Sequence, residues 1–560
     1  MPQDAFTLQY VTKELKETLV GGKISKINQP SKDSLSLLIY TRYGTVKLDI
    51  DLSAKYCRVS VGEKTETANP KVAPNFCMLL RKHLNNAEIT AVEQVGFERV
   101  LYFDFKCFSE FEVTEMRLYL EIMGKYSNAV LVKDGIIAGA LKTTSLETGA
   151  HRIMFGGAAY VLPEKQDKSD PTDLTALKKA FGNATCDRAK FIADNVSGIA
   201  YSTALDIVEK YGGNATADDV YGYVNSPGYT PCVIYSDGMP TDFKARLTAG
   251  GKQYKTLLEA QADYYTFQIT AKQFSDKKRK LVSAVNAARK KAEKRLAIAL
   301  DKLSECEKAE ELKLKGELIT SNIYAVERGQ SVLKAVNYYD ENCAEISIEL
   351  DVRLTPSQNA QKYFKRYRKL KRTAQTVTAQ KAESEELISY LGSILSSLEL
   401  AENLKDLTET ESELISLSLL PAPKISGGKK GGKKEEPSAP FRTFKKDGFT
   451  VLCGRNNTQN DRLTKSLNAG DLWLHVKTFH SSHVAVLLSG GEPTDAVIKF
   501  AAEVCAYYSE AREKDKVAVD YTFKKYVKKP NGANAGKAIY TDFKTVLVAP
   551  NAHAEDRCDE

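Results

Sequence analysis

Two long stretches restrict this chain more than anything else in it. Residues 263–315 contain neither proline nor glycine and are rich in Lys, Glu, Ala and Leu. Without those breakers a helix has no local reason to stop. Leu281, Val285, Ala288, Ala292, Leu296, Ala299 and Leu303 recur there at steps of three and four, the spacing of one helix face. A second run, about 357–412, carries a seam of Leu387, Leu391, Ile394, Leu398 and Ala401. Each run exceeds 50 residues, roughly 75–80 Å of helix at ~1.5 Å per residue. An apolar seam of that length needs a partner. Two of them in one chain, about 40 residues apart, predict a long antiparallel coiled-coil arm over 263–420. Two unrelated helices folded onto a globular core are the alternative. Residues 316–356 alternate as strands do and are expected to form a small β element at one end of the arm.

The arm is unevenly charged. KKRK at 277–280, RKK at 289–291 and KYFKRYRKLKR at 362–372 are expected to lie side by side near the end away from the β element. Interleaved aromatic and basic residues suit an RNA backbone. Lys277, Lys278, Arg279, Lys365, Arg366, Arg368 and Lys369 are the candidate contacts; a solvated charged face is the competing explanation.

The remainder divides by pattern. Residues 1–170 read as a mixed helix and strand domain, with an amphipathic helix stopped at Gly21-Gly22 and a hairpin turning at Asp134-Gly135. Residues 171–225 read as short helices. VSGIAYSTALDIV there is compatible with a helix-hairpin-helix turn, whose amides would hold a nucleic-acid phosphate, or with a plain helical spacer. Residues 226–262 return to strands and a connector. Residues 421–440, rich in Gly, Lys, Pro and Ser, are expected to be a disordered linker. Residues 441–552 form a last domain of strands around one helix, opening with a hairpin at Asp447-Gly448.

Composition bounds the function. A chain of 560 residues exceeds a single ordinary core, and its net charge of +8 is a mild excess. Ten cysteines without a CxxC pair argue against zinc ribbons and disulfide redox sites and point to a reducing cytoplasm. The N-terminus lacks the pattern of a signal peptide, and no apolar run is long enough to span a membrane.

GRNNTQNDRLTKSLNAGDLWLHVKTFHSSH, residues 454–483, holds the only tryptophan and three of the six histidines. Arg455, Asn456, Asn457, Asn460 and Asp461 offer hydrogen bonds suited to RNA or to a tight turn. Trp473 and His475, two apart on a strand, share a face; exposed they would stack on a base, buried they would be core. Lys477 and His483 complete that group of RNA-binding candidates. His475, His480 and His483 lack the cysteine or carboxylate partners of a metal site, so no metal and no cofactor are expected. Lys528, Lys529 and Lys537 bracket a glycine-rich loop and are the better candidates for phosphate contacts.

Several of these segments fall in one order: LRKHLNNAEI, LEIMGKYSNAVLV, GELITSNIYAV, NAQKYFKRYRKLK, GRNNTQNDRLT, DLWLHV, VDYTFKKYVKKPNGA and KTVLVAP. Together they resemble the NFACT family, also labelled fibronectin-binding protein A in bacteria, over nearly the whole chain. The large eukaryotic members carry a further C-terminal domain that has no counterpart here, so the resemblance is to the bacterial, RqcH-type branch. It implies an α/β multidomain fold whose α+β N-terminal domain is related to that of formamidopyrimidine-DNA glycosylases. It implies a cytoplasmic factor that binds a large ribosomal subunit, through rRNA, while peptidyl-tRNA blocks it. Such a factor selects alanyl-tRNA and directs untemplated alanine tailing, with the peptidyl-transfer chemistry supplied by the ribosome. The implied factor acts as a monomer, away from membranes, beside a small RqcP-like partner of the heat-shock-fifteen type.

The family's Asp-Arg pair for tRNA engagement falls on Glu98 and Arg99, so the carboxylate here stands one methylene further out. The family's GAKPG loop reads GANAG here, with one proline and one lysine fewer. Two rival functions follow from the same kinship. Glycosylase chemistry would use Pro2 as a secondary amine, but Gln3 stands where those enzymes have a catalytic Glu, and their cysteine pairs are missing. A fibronectin-binding surface adhesin would be expected to carry a signal peptide and a wall anchor.

Overall fold

The computed structural model describes residues 3–62, 69–70, 72–108, 112–144, 152–181, 187–327, 329–340, 343–421 and 440–558. Pro2 and all but the end residues of the expected linker lie outside them. The chain divides into two compact units, residues 1–271 and 272–560.

The first unit is built on an antiparallel sheet of nine described strands. They are β1 (Lys23–Ser31), β2 (Ser34–Thr41), β3 (Gly44–Asp51), β4 (Arg58–Gly62), β5 (Glu88–Gln94), β6 (Val100–Phe108), β7 (Val113–Glu121), β8 (Asn128–Lys133) and β9 (Ile136–Ala140). Their order in the sheet is β4-β3-β2-β1-β5-β6-β7-β8-β9. Alternation places Leu35, Leu37 and Ile39 of β2 and Phe103 and Phe105 of β6 in the core, where α1 (Ala5–Leu19) and α2 (Asn75–Leu84) cover them. Helix α1 ends where Gly21 takes φ +79 and a Cβ on Gly22 would meet Ile39 Cγ2 at 2.8 Å. At the β8–β9 hairpin Asp134 and Gly135 both have positive φ, +51 and +78, as a two-residue turn of this hand requires.

Four short helices follow: α3 (Leu174–Phe181), α4 (Arg188–Asn195), α5 (Tyr201–Tyr211) and α6 (Ala217–Asn225). The α4–α5 turn is tied to the start of the chain. Ala200 N–H donates to Asp4 at 2.9 Å, and the Gly198 carbonyl accepts from Ala5 N–H at 2.9 Å. A Cβ on Gly198 would meet Phe97 at 2.6 Å, so the turn is pressed onto the core. A three-stranded sheet of β10 (Cys232–Ser236), β11 (Met239–Lys244) and β12 (Gly251–Gln253) leads into α7 (Leu257–Glu307). The Glu14 carboxylate accepts from the first amides of α7, Leu257 N–H at 2.8 Å and Leu258 N–H at 2.9 Å. A negative group there satisfies orphan donors and complements the helix dipole.

In the second unit α7 continues to α8 (Ala309–Ser321), then β13 (Val332–Val336), β14 (Glu345–Glu349), α9 (Pro356–Glu399) and α10 (Leu404–Ser416). Helices α7 and α9 run antiparallel. Leu281 and Val285 are buried with Leu391, Ile394 and Leu398, and the β13–β14 hairpin packs on Leu318, Ile319 and Ala360. This pairing separates the two basic stretches expected side by side. Tyr363 and Phe364 pack at the β element, whereas Lys277 reaches Glu411 at 2.9 Å and Lys278 the Glu399 carbonyl at 3.0 Å. Those places lie about 35 residues apart on α9, or roughly 50 Å. In an antiparallel pair an early segment of the first helix meets a late segment of the second, so 277–280 could not face 362–372.

The C-terminal part is an antiparallel sheet in the order β15-β16-β18-β17-β19-β22. Its strands are β15 (Arg442–Lys446), β16 (Phe449–Cys453), β17 (Leu472–Val476), β18 (Val484–Leu487), β19 (Val517–Phe523) and β22 (Lys544–Val548). Helix α11 (Asn457–Ser466) follows β16, and α12 (Asp495–Tyr507) packs on the sheet through Val497, Phe500, Ala501 and Val504. A small pair, β20 (Val527–Lys528) and β21 (Ile539–Tyr540), frames the glycine-rich loop. Among the described residues no helix is long and apolar enough to cross a membrane.

Candidate nucleic-acid interface

The Arg455–Asp461 motif is not a surface. Arg455, Asn456, Asn457 and Asn460 are all buried, and each is bound within the unit. Arg455 pairs with Glu402 at 2.9 Å and donates to the Pro440 carbonyl at 2.9 Å. Asn456 caps α11 by accepting from Gln459 N–H at 2.9 Å and donates to Glu409 at 2.6 Å. Asn457 donates to Glu413 and Ser393, each at 3.0 Å. Asn460 accepts from His483 N–H at 3.0 Å, and Asp461 takes Gly536 N–H at 2.9 Å and the Lys529 ammonium. These assignments correct the reading of the motif as RNA contacts: its donors are spent fastening α11 to α10.

The partners are acids that sequence inspection passed over. Glu402, Asp406, Glu409 and Glu413 follow steps of four, three and four: one face of α10 and the residue just before its Asn403 cap. That spacing was a visible signal; its target was not. Glu402 also receives Arg442, which is fully buried, at 3.2 Å and Arg557 at 2.7 Å. Burial works against its ionisation, but the Arg557 hydrogen bond and the charges of Arg442, Arg557 and Arg455 outweigh it and hold the carboxyl near 2. Glu413 moves the other way: burial raises it, despite donors from Tyr390 and Asn457.

Trp473 is only 1% exposed, so of the two alternatives its ring belongs mostly to the core. Its indole N–H donates to Thr464 Oγ1 at 3.2 Å. His475 lies parallel to it, 3° between ring planes with centroids 5.7 Å apart, and is half-buried. His483, 2% exposed, stands edge-on to Trp473 at 5.0 Å, with Nδ1 at 2.8 Å from Thr464 Oγ1. Burial lowers the pKa of His475 to about 4 and of His483 to about 3, so both are neutral at pH 7. Among the described residues no three His, Cys, Asp or Glu side chains are grouped to hold a metal ion.

These rings floor a cavity of about 380 Å³ within the second unit. Ser389, Tyr390, Ser393, Ser396 and Ser397 of α9 form one wall, and Asn534–Ala538 form another. Lys477, His480, Glu386 and Lys537 also line it; Glu386 and Lys537 form an ion pair.

The exposed cations are elsewhere. Lys365, Arg366, Arg368 and Lys369 are exposed on α9 and make no ion pair among the described residues. Lys477, just past the end of β17, and Lys528, on β20, are also exposed. Lys277 and Arg279 are instead engaged by Glu411 and Asp276.

In the first unit Glu98 and Arg99 occupy the tight β5–β6 turn, both half-buried. Glu98 N–H donates to the Val95 carbonyl at 3.1 Å, and Gln94 ties the Glu98 and Ala5 carbonyls together at 2.8 and 3.0 Å. The neighbouring Phe97 is wedged against Gly198. Burial raises the Glu98 pKa, more than Lys165 and Arg99 lower it. The turn is therefore rigid, and its carboxylate is a weaker anion than an exposed one.

Family comparison covers both units. The model described as NFACT N-terminal and middle domains matches residues 4–434, and the NFACT protein RNA binding domain matches residues 440–540. The chain belongs to the NFACT family. A relative named Rqc2 homolog RqcH from Bacillus subtilis (strain 168) is 33% identical over 561 residues, covering 97% of each chain. One of the same name from Streptococcus suis (strain 05ZYH33) is 31% identical over 574 residues, covering 98% of each. A solved structure of the C-terminal part of the fibronectin/fibrinogen-binding protein from Streptococcus suis is 30% identical, with a TM-score of 0.39. It covers 50% of this chain and 96% of its own.

Proposed function

We propose that this NFACT protein is a ribosome-associated quality control factor. It binds large ribosomal subunits obstructed by peptidyl-tRNA, recruits alanyl-tRNA and directs untemplated C-terminal alanine tailing of the stalled chain. The observation that carries the reading is the match to relatives named Rqc2 homolog RqcH along 97–98% of the chain. The protein acts in the cytoplasm as a binding scaffold, and the ribosome supplies the peptidyl-transfer chemistry. Helices α7 and α9 serve as a coiled-coil arm, and the N-terminal sheet domain is related to the glycosylase N-terminal fold without its chemistry. The exposed cations of α9, with Lys477 and Lys528, grip rRNA phosphates. Glu98 and Arg99 engage tRNA from a turn that the core holds still. A small RqcP-like protein is the expected companion.

Arg99→Ala is the test. Co-sedimentation with large subunits should persist, because the phosphate grip is elsewhere, while alanine tailing of a stalled reporter should be lost. Undiminished tailing by this variant would remove the tRNA role from Arg99. Failure of the unaltered protein to sediment with large subunits at low ionic strength would remove the function itself.

A further inference from the structure

The cavity floored by Trp473 shares only Lys477 with the grip described above, and it has the attributes of a binding site of its own. Its volume of about 380 Å³ falls within the usual range of small-ligand sites. The Trp473 and His475 rings lie parallel, 3° between planes with centroids 5.7 Å apart, and His483 stands edge-on, so the lining on this side is aromatic. Hydrogen-bonding groups around it are unspent: the side chains of Ser389, Ser396 and Asn534 make no hydrogen bond among the described residues. Within the lining the one carboxylate, Glu386, is occupied by Lys537, whereas Lys477 is exposed and pairs with no acid among the described residues.

We propose that this cavity receives a single unstacked nucleobase of RNA, with Lys477 holding the adjoining phosphate. The inference rests on the RNA-binding reading of the second unit and adds to it a defined subsite. A planar heterocycle is the ligand that uses both an aromatic lining and hydroxyl and amide groups at its edge. An amine-bearing ligand such as a free amino acid or peptide terminus is disfavoured, because the lining has no unpaired carboxylate to receive it. The neutral histidines suit an uncharged base and would not hold phosphate on the floor.

Trp473 is the only tryptophan of the chain, so its emission reports on this cavity alone. Full-length protein is titrated with the four nucleoside monophosphates, with ribose 5-phosphate and with inorganic phosphate. At least one nucleoside monophosphate should change the emission saturably; ribose 5-phosphate and inorganic phosphate should not. Lys477→Ala should weaken the monophosphate about tenfold, the loss of one charge-assisted contact, and leave the matching nucleoside unaffected. Ser397→Leu, which fills the cavity from α9, should abolish the response; if it disturbs the circular dichroism, Ser389→Leu at the exposed end of the same wall replaces it. Unchanged emission with every nucleotide at millimolar concentration, or the same change with ribose 5-phosphate, overturns the assignment. That result together with intact co-sedimentation would defeat the subsite and leave the ribosomal function standing. Nucleotide binding without co-sedimentation would do the reverse.

Discussion

Residues 455–461 and residues 362–372 are both rich in groups that bind nucleic acid, and the second unit treats them in opposite ways. Arg455, Asn456 and Asn457 of the first set are buried and meet Glu402, Asp406, Glu409 and Glu413; the second set projects Lys365, Arg366, Arg368 and Lys369 into solvent. The same side-chain chemistry therefore serves as an internal fastener in one place and as an open cationic face in the other. What separates them is whether a complementary stripe of carboxylates returns to meet the donors. A buried guanidinium without its acid is costly, whereas an exposed one is already solvated by water. Stability should thus depend on the first region and salt-dependent RNA affinity on the second.

The largest effect is expected at the hub of the fastener. Glu402→Ala leaves Arg442 buried without its carboxylate and Arg455 with only Asp406, at 3.5 Å, and should destabilise the protein by about 3–5 kcal/mol, read from denaturant midpoints. RNA affinity of the fraction still folded should be unchanged; a loss of affinity at full stability would reverse the comparison. The converse variant replaces Lys365, Arg366, Arg368 and Lys369 by Ala. The slope of log affinity for large subunits against log salt should fall by about 3–4, with little change in melting temperature. An unaltered slope would show that this face is merely solvated.

Acidification should act on the fastened side alone. His483 has a folded pKa of about 3 against an unfolded value near 6.5, so the unfolded chain binds the proton first. The His483 contribution is then full above about pH 6.5 and falls by about 1.4 kcal/mol per unit as pH drops toward 4.5, with His475, lowered to about 4, acting in the same direction. In the same window the ionised Glu402, held near 2, still contributes fully. Melts of the native protein and of His483→Asn should differ in slope over this range. The smallest effect belongs to Asn456→Ala, which removes a helix cap and the Glu409 bond and should cost about 1–2 kcal/mol without altering the salt slope.

Much of the fold was legible because it is local. Leu281, Val285, Leu391, Ile394 and Leu398 repeat at helical spacing, and all five are buried between α7 and α9. Asp134-Gly135 and Asp447-Gly448 announce hairpins because both positions of such a turn need positive φ, which they adopt. The candidate site was much less legible. Trp473 and His475 share a face, as strand alternation requires, but alternation does not say whether that face is wet. Likewise the basic character of 277–280 was plain, while its engagement by Glu411 and the Glu399 carbonyl depends on a helix over a hundred residues away.

Periodicity and turn chemistry in the sequence alone determined the long helices, the alternating strands and the tight hairpins, since each answers to backbone geometry within a few residues. Tertiary structure alone decided which polar groups remain available to RNA. An asparagine or arginine donor is satisfied equally by water, by phosphate or by a carboxylate from another helix. Only the return of Glu402, Asp406, Glu409 and Glu413 to the same place selects among them.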